Sequence, residues 1–183
     1  MKACIFLANG FEEIEALVPF DVLKRAGVVV TTFGVGDRLI KGSHNLIVET
    51  DKAIDSYSFG YDAIILPGGL PGATNLKDNE IVQKALLEQN EKGKLIAAIC
   101  ASPAAVLGPL GLLDGKEATC YPGTDATFYP EFEFSKANVV VSKNLVTGKA
   151  PGAAWEFALT IVRLLCGQEC AQTIINSTYL PRV

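Results

Sequence analysis

The sequence predicts a doubly wound α/β domain built on a mostly parallel sheet, and three observations predict it. Short apolar runs of strand length alternate with stretches of helical period, the loops between them are brief, and three of the runs stop at corners suited to a ligand. Those corners are Asn9-Gly10, Pro67-Gly68-Gly69 and Cys100-Ala101.

Lys2 to Ala8 is an apolar run that Asn9 and Gly10 turn. Glu12 to Ala26 has helical spacing and ends at Gly27; Ile14, Leu17, Val18, Val22 and Leu23 share one face, which is expected to be buried. Val28 to Phe33 is a second strand, so the chain opens with a strand–helix–strand unit, the mark of parallel pairing. Leu39 to Glu49 reads as a short hairpin around Gly42 and Ser43. Asp62 to Leu66 is a buried strand leading into Pro67-Gly68-Gly69-Leu70-Pro71-Gly72, and Glu80 to Lys92 is a helix closed by Gly93. Leu95 to Ile99 has the length and apolar character of an interior parallel strand. It stops at Cys100, and Ala101 to Leu107 reads as a helix with Pro103 in its first turn, where a missing N–H costs nothing.

Beyond Gly111 the pattern weakens. Glu117 to Tyr121, Val139 to Ser142 and Leu145 to Thr147 read as strands, while residues 122–135, rich in aromatics and acids, carry no assignable period. Gly152 to Cys166 is a strongly apolar helix and Gln168 to Ile175 another. No linker, repeat or low-complexity tract divides the chain, so residues 1–183 are expected to form one domain.

Composition narrows the function classes. Hydrophobic residues make up 49% and charged residues 20%, the balance of a globular chain, and the net charge of −4 with no basic cluster excludes nucleic acid and acidic membranes as expected partners. The apolar run before Asn9 is too short for a signal peptide, which points to a cytoplasmic protein. Five scattered cysteines without a CxxC pair suit free thiols in a reducing compartment. Cys166 and Cys170 are four apart, but Gly167 is expected to interrupt the helix between them. With His44 the single histidine, no metal site or other cofactor is expected.

In open parallel sheets ligands bind beyond the carboxyl ends of the strands, so the three corners converge on one site if their strands are neighbours. Cys100 at a strand-to-helix bend is either a small core residue or a reactive one. Backbone donors and the helix dipole near its sulfur would lower its pKa from the ordinary ~8.5 and make it a nucleophile. The Pro67-Gly68-Gly69 turn leaves backbone N–H groups open to a bound oxygen; with the Ala101 amide it would form an oxyanion hole. Glu12, Glu13 and Glu15 lie in a first helical turn, where the dipole favours acids in any protein. Glu15 is the one placed to turn inward, where burial would keep it protonated and let it donate to a thiolate.

The segments ANGFEEIEALVPFDVLKRAG, DAIILPGGLPGA, LIAAICASPAAVL and LVTGKAPGAAWEFAL, in this order and spread over nearly the whole chain, resemble the ThiJ/PfpI superfamily in its parkinsonism-associated deglycase branch. The resemblance implies a flavodoxin-like three-layer sandwich and a homodimer. It also implies that Cys100 is the reactive thiol on a nucleophile elbow, Glu15 its protonated partner, and Gly68, Gly69 and Ala101 the oxyanion donors.

Two departures stand out. Many relatives carry a histidine in a Thr-His-Pro stretch after the next strand, where this chain has Cys120-Tyr121-Pro122; an unperturbed tyrosine, with pKa ~10, cannot replace imidazole as a base. The PfpI proteases carry histidine directly after the nucleophile, where this chain has Ala101, which argues against peptidase activity. In relatives the hairpin that here bears His44 reaches the partner subunit's active site. His44 is thus either an auxiliary residue acting across a dimer or an exposed loop histidine. The activity implied is that of a cofactor-free cysteine enzyme on small reactive aldehydes or early glycation adducts, of glyoxalase III or deglycase type. The alternative is an oxidative-stress sensor or redox-dependent chaperone in which Cys100 is oxidised and no substrate is turned over.

Overall fold

The computed structural model describes residues 1–180. The chain runs β1 (Lys2–Ala8), α1 (Glu13–Arg25), β2 (Val29–Val35), β3 (Leu39–Lys41), β4 (Ile47–Glu49), β5 (Lys52–Ala53), β6 (Ala63–Leu66), α2 (Gly72–Lys77), α3 (Glu80–Glu91) and β7 (Leu95–Ile99). A π-helical turn over Pro103–Leu107 follows, then α4 (Thr124–Phe128), β8 (Val139–Ser142), β9 (Leu145–Gly148), α5 (Ala154–Cys166) and α6 (Gln168–Ser177).

Seven strands form one sheet in the order β5-β2-β1-β6-β7-β9-β8, parallel throughout except for β8 against β9. Strands β3 and β4 form a separate antiparallel hairpin. Helices α1, α5 and α6 pack together as one layer, and α2, α3 and the π-helical turn as the other. The result is the doubly wound, flavodoxin-like three-layer sandwich expected. Central strands are covered on both faces, so they read as unbroken apolar runs: Ile64, Ile65 and Leu66 of β6 and Ala97, Ala98 and Ile99 of β7 are all buried. Phe6, Phe33 and Phe157 are fully enclosed within the same core.

The winding reverses at β1, which pairs with β2 on one side and β6 on the other. That switch point opens a crevice at the carboxyl edge, and β7 lies next to β6. The three glycine and cysteine corners therefore stand side by side.

Several details depart from the sequence reading. Ile14 and Leu17 are exposed, because the buried stripe of α1 runs through Glu15, Ala16, Pro19, Val22 and Leu23. The helix expected over Ala101 to Leu107 is a π turn, in which the Gly108 N–H bonds Pro103 O five residues back at 3.1 Å. Every residue of that turn is buried, so polarity carried no periodic signal there. The strand expected over Glu117 to Tyr121 shrinks to one bridge between Thr119 and Ser135. The Thr119 N–H donates to Thr147 Oγ1 at 2.9 Å instead of to a ladder, and the Tyr121 N–H donates to Cys100 O at 2.8 Å.

The turn after β6 locks onto the turn after β1. The Glu12 N–H donates to Gly68 O at 3.0 Å, and Gly69 adopts φ +85° with its α-carbon so close to the other turn that a Cβ would lie 2.4 Å from Gly10 O and 2.5 Å from Glu12 N. Gly69→Ala should therefore lose about 1–3 kcal/mol from the backbone conformation alone, and more from the clash, read as a lowered urea midpoint. An unchanged midpoint would mean that the two turns are not in contact.

Candidate active site

Helix α1 begins with Glu12 as its cap, whose Oε2 accepts the Glu15 N–H at 2.9 Å. This fixes the first turn so that Glu15 points under the sheet edge with no exposed surface. Glu15 Oε2 accepts the Gly68 N–H at 2.8 Å. Its Oε1 is buried without a well-formed hydrogen bond, and the carboxyl lies within hydrogen-bonding reach of the Cys100 thiol.

Cys100 stands at the end of β7 with φ 64°, a left-handed conformation uncommon for any residue but glycine. Two bonds hold it there: its N–H donates to Gly148 O at 2.9 Å, and its carbonyl accepts from Tyr121. The residue is buried, with 8% of its surface exposed. The amides of Gly69 and Ala101 are directed at the sulfur. Gly68 closes the group, since a Cβ there would lie 2.6 Å from the Cys100 Cβ and 2.8 Å from Glu15 Oε2.

The electrostatics depart from the sequence expectation in one respect. Burial pushes the Glu15 carboxyl up to about 7, against the opposing pull of the Gly68 and Cys100 hydrogen bonds, which agrees with a carboxyl that keeps its proton. The Cys100 thiol, expected to be lowered, is instead raised. Burial is the largest cause and the facing Glu15 charge adds to it, while the Gly69 and Ala101 amides oppose both without overcoming them. The π turn beyond it is only five residues long, too short to supply the dipole invoked from sequence. Glu15 and Cys100 thus titrate as a pair: one negative charge can be shared between them, and a second would face the first across a desolvated gap.

Of the three expected oxyanion donors, Gly69 and Ala101 face the sulfur, whereas the Gly68 N–H is committed to Glu15. Sequence reasoning missed Ser102, the one polar side chain in the run after Cys100. It is fully buried and its Oγ donates to Pro67 O at 2.6 Å, fastening the thiol corner to the diglycine turn.

The remaining candidates, His44 and Tyr121, the latter in the place of the relatives' histidine, make no side-chain hydrogen bond to Cys100 or Glu15 within the described residues. His44 is on the surface of the β3–β4 hairpin, where its Nδ1 lies 2.8 Å from Glu13 Oε2 and its N–H donates to Glu13 Oε1 at 2.7 Å. Hydrogen bonds from His44 and Ser43 hold the Glu13 carboxyl below its ordinary value although burial opposes them, and Glu13 in turn raises His44. Tyr121 is 46% exposed and meets Cys100 through its backbone. Among the described residues, one group of metal-ligand types converges, Glu12, Glu13 and His44, with ligand atoms within 4.8 Å of one another. These are the same atoms that cap α1 and clasp the hairpin.

No helix among the described residues is long and apolar enough to cross a membrane. The chain is 38% identical over 178 residues to the Parkinson disease protein 7 homolog of Danio rerio, covering 94% of each. It is 34% identical over 172 residues to glutathione-independent glyoxalase DJR-1.2 of Caenorhabditis elegans, covering 93% of this chain and 91% of that one. It matches the structure of oxidized DJ-1 from Toxoplasma gondii with a TM-score of 0.94 at 37% identity, covering 99% of both chains. A family model describes residues 1–164, and with the shared fold and these relatives it establishes that the chain belongs to the DJ-1/PfpI family.

Proposed function

We propose that this chain is a cofactor-free cysteine enzyme of a reducing, cytoplasmic compartment that acts on small reactive aldehydes or their early glycation adducts, in the manner of a glyoxalase III or deglycase. The observation that carries the reading is the buried Glu15 carboxyl, with one oxygen on the Gly68 amide and the other lacking a well-formed partner beside the Cys100 sulfur. The printed name of the nematode relative supports the aldehyde as substrate.

With methylglyoxal, the shared charge resides on sulfur when Glu15 holds the proton. The thiolate adds to the aldehyde carbon, the carbonyl electron pair moves to oxygen, and the Gly69 and Ala101 amides hold that oxygen as Glu15 protonates it. The Glu15 carboxylate then removes the proton from the same carbon to give an enediolate with its charge on the second oxygen. The hydroxyl proton of the first oxygen passes to the second, Glu15 returns its proton to the neighbouring carbon, and the first carbonyl re-forms as a lactoyl thioester, which water cleaves to lactate and the free thiol. Glu15 both shares its proton with Cys100 and carries one between two carbons, a double duty consistent with slow turnover in a site without imidazole.

A sulfinate at Cys100 would accept the same amide and carboxyl contacts, and one solved relative is described as oxidized, so the sensor reading has a specific competitor's claim. The two part on one comparison: lactate formed from methylglyoxal supports turnover, whereas selective oxygen addition at Cys100 by mild peroxide with methylglyoxal untouched supports sensing.

The second copy implied by the family is proposed to cover the outer face of α1 and the hairpin. Ile14, Leu17 and Ile47 are 48%, 41% and 62% exposed there, and Leu17 and Val48 line one apolar cavity between the helix and β4.

Cys100→Ser should abolish lactate formation, and Glu15→Gln should reduce kcat/KM ~100-fold or more while moving the rising limb of the pH profile upward from about 7. Glu15 titrates at 4.5 ordinarily and at about 7 in the fold, so the native state binds its proton more tightly than the unfolded chain does. Stability should accordingly fall as pH rises through this window, by on the order of 3 kcal/mol, in urea unfolding of the wild type and not of Glu15→Gln. Leu17→Glu should convert a dimer to a monomer in light scattering; an unchanged mass would place the interface elsewhere.

A further inference from the structure

Helices α5 and α6 meet at Gly167 with no intervening loop. Gly167 has φ +92° and ψ 165°, a conformation open essentially to glycine alone, and it serves as the last cap of α5 and the first of α6. Its N–H donates to Arg163 O at 3.1 Å to close α5, and its carbonyl accepts the Ala171 N–H at 3.4 Å to open α6. The interruption anticipated from sequence is therefore present, yet it does not part the flanking cysteines. Cys166 ends α5 and Cys170 lies in the first turn of α6, one helical turn apart across Gly167 and near enough for Cys170 to act on the Cys166 thiol. Both are free and half-exposed, packed on one side against the core and open on the other.

The pair is remote from Cys100. Helix α5 starts just beyond the carboxyl end of β9 and carries the chain ~18 Å back along its axis, so Cys166 lies toward the amino edge of the sheet. The Met1 amino group, at the head of β1, is close enough to act on Cys166 as a neighbouring positive charge. Glu15, Gly69 and Ala101, which surround Cys100, belong to the opposite edge.

We propose that Cys166 and Cys170 form a second redox site, a vicinal dithiol that hydrogen peroxide converts reversibly to an intrachain disulfide independently of Cys100. One thiolate attacks a peroxide oxygen: the S–O bond forms, the O–O bond breaks, and hydroxide leaves to be protonated to water. The other thiol, losing its proton, attacks the sulfenic sulfur; the S–S bond forms and the S–O bond breaks with loss of a second water. Two sulfurs lose one electron each and the peroxide gains two. The placement of the two cysteines on either side of Gly167, where α5 meets α6, supplies what this sequence of steps needs, a resolving thiol within reach before a sulfenic acid can oxidise further.

Trypsin cleaves after Arg163 and Arg182, so both cysteines fall in one peptide. The full-length protein, wild type and Cys100→Ser, would be treated with graded hydrogen peroxide, alkylated with N-ethylmaleimide, digested and weighed. The expected peptide has lost two hydrogen masses, carries no alkyl group and regains both labels after dithiothreitol, to the same extent in the two backgrounds. Cys166→Ser and Cys170→Ser should each abolish that species; both positions are half-exposed, and a thermal melt confirms that each variant is folded. Full alkylation at both cysteines under conditions that oxidise Cys100, or separate oxygen additions at 166 and 170 without the disulfide, would overturn the proposal. So would a disulfide that fails to form in Cys100→Ser, since the pair would then depend on the other thiol.

Discussion

A carboxyl group with no access to water, facing a thiol that is nearly as enclosed, is the constraint on which this structure turns. Two such groups cannot both be charged without strong repulsion in a desolvated space, and among the described residues no cation offsets it. What the fold supplies is a set of neutral donors. Gly68 serves the carboxyl, Gly69 and Ala101 serve the sulfur, and all three come from strand ends brought together where the winding of the sheet reverses. In the proposed mechanism a single negative charge passes between two atoms of different chemistry, one a soft nucleophile and one a proton carrier.

Keeping those donors in place is the work of the surrounding turns. Glu12 caps α1 and aims Glu15; Ser102 binds the Pro67 carbonyl; the Glu12 N–H binds the Gly68 carbonyl. The last two links join different pairs of corners, so the diglycine turn is held from both neighbours. The hairpin adds a third brace, through Glu13 with Ser43 and His44 and through the Gly10 N–H to Lys41 O at 2.8 Å. Backbone groups dominate this network, and that lets a short polar inventory position a buried acid.

Much of this was legible in the sequence, for identifiable reasons. Strands buried on both faces announce themselves as apolar runs, and β1 and β7 were readable to the residue. The corners were readable because glycine, proline and an abrupt cysteine interrupt those runs, and Glu15 was legible as the acid turned inward, although the face expected to be buried was misplaced at Ile14 and Leu17. What could not be read depended on partners distant in the chain. The commitment of the Gly68 amide to Glu15 spans 53 residues. The Thr147 hydroxyl that takes the Thr119 amide replaces a strand pairing with a side-chain bond, which no local pattern reveals. The raised thiol follows from the same distance: the donors visible at the corner argued for a lowered value, and the desolvation that outweighs them is a property of the assembled layers.

The left-handed backbone at Cys100 carries a consequence for how this chain responds to selection. Such a conformation costs about 1–3 kcal/mol in a residue with a Cβ, and glycine would adopt it freely. Variants chosen only for folding would thus drift toward glycine at position 100, whereas a screen for chemistry would hold the sulfur in place. Under the proposed function, position 100 is where robustness and reactivity pull the protein in opposite directions.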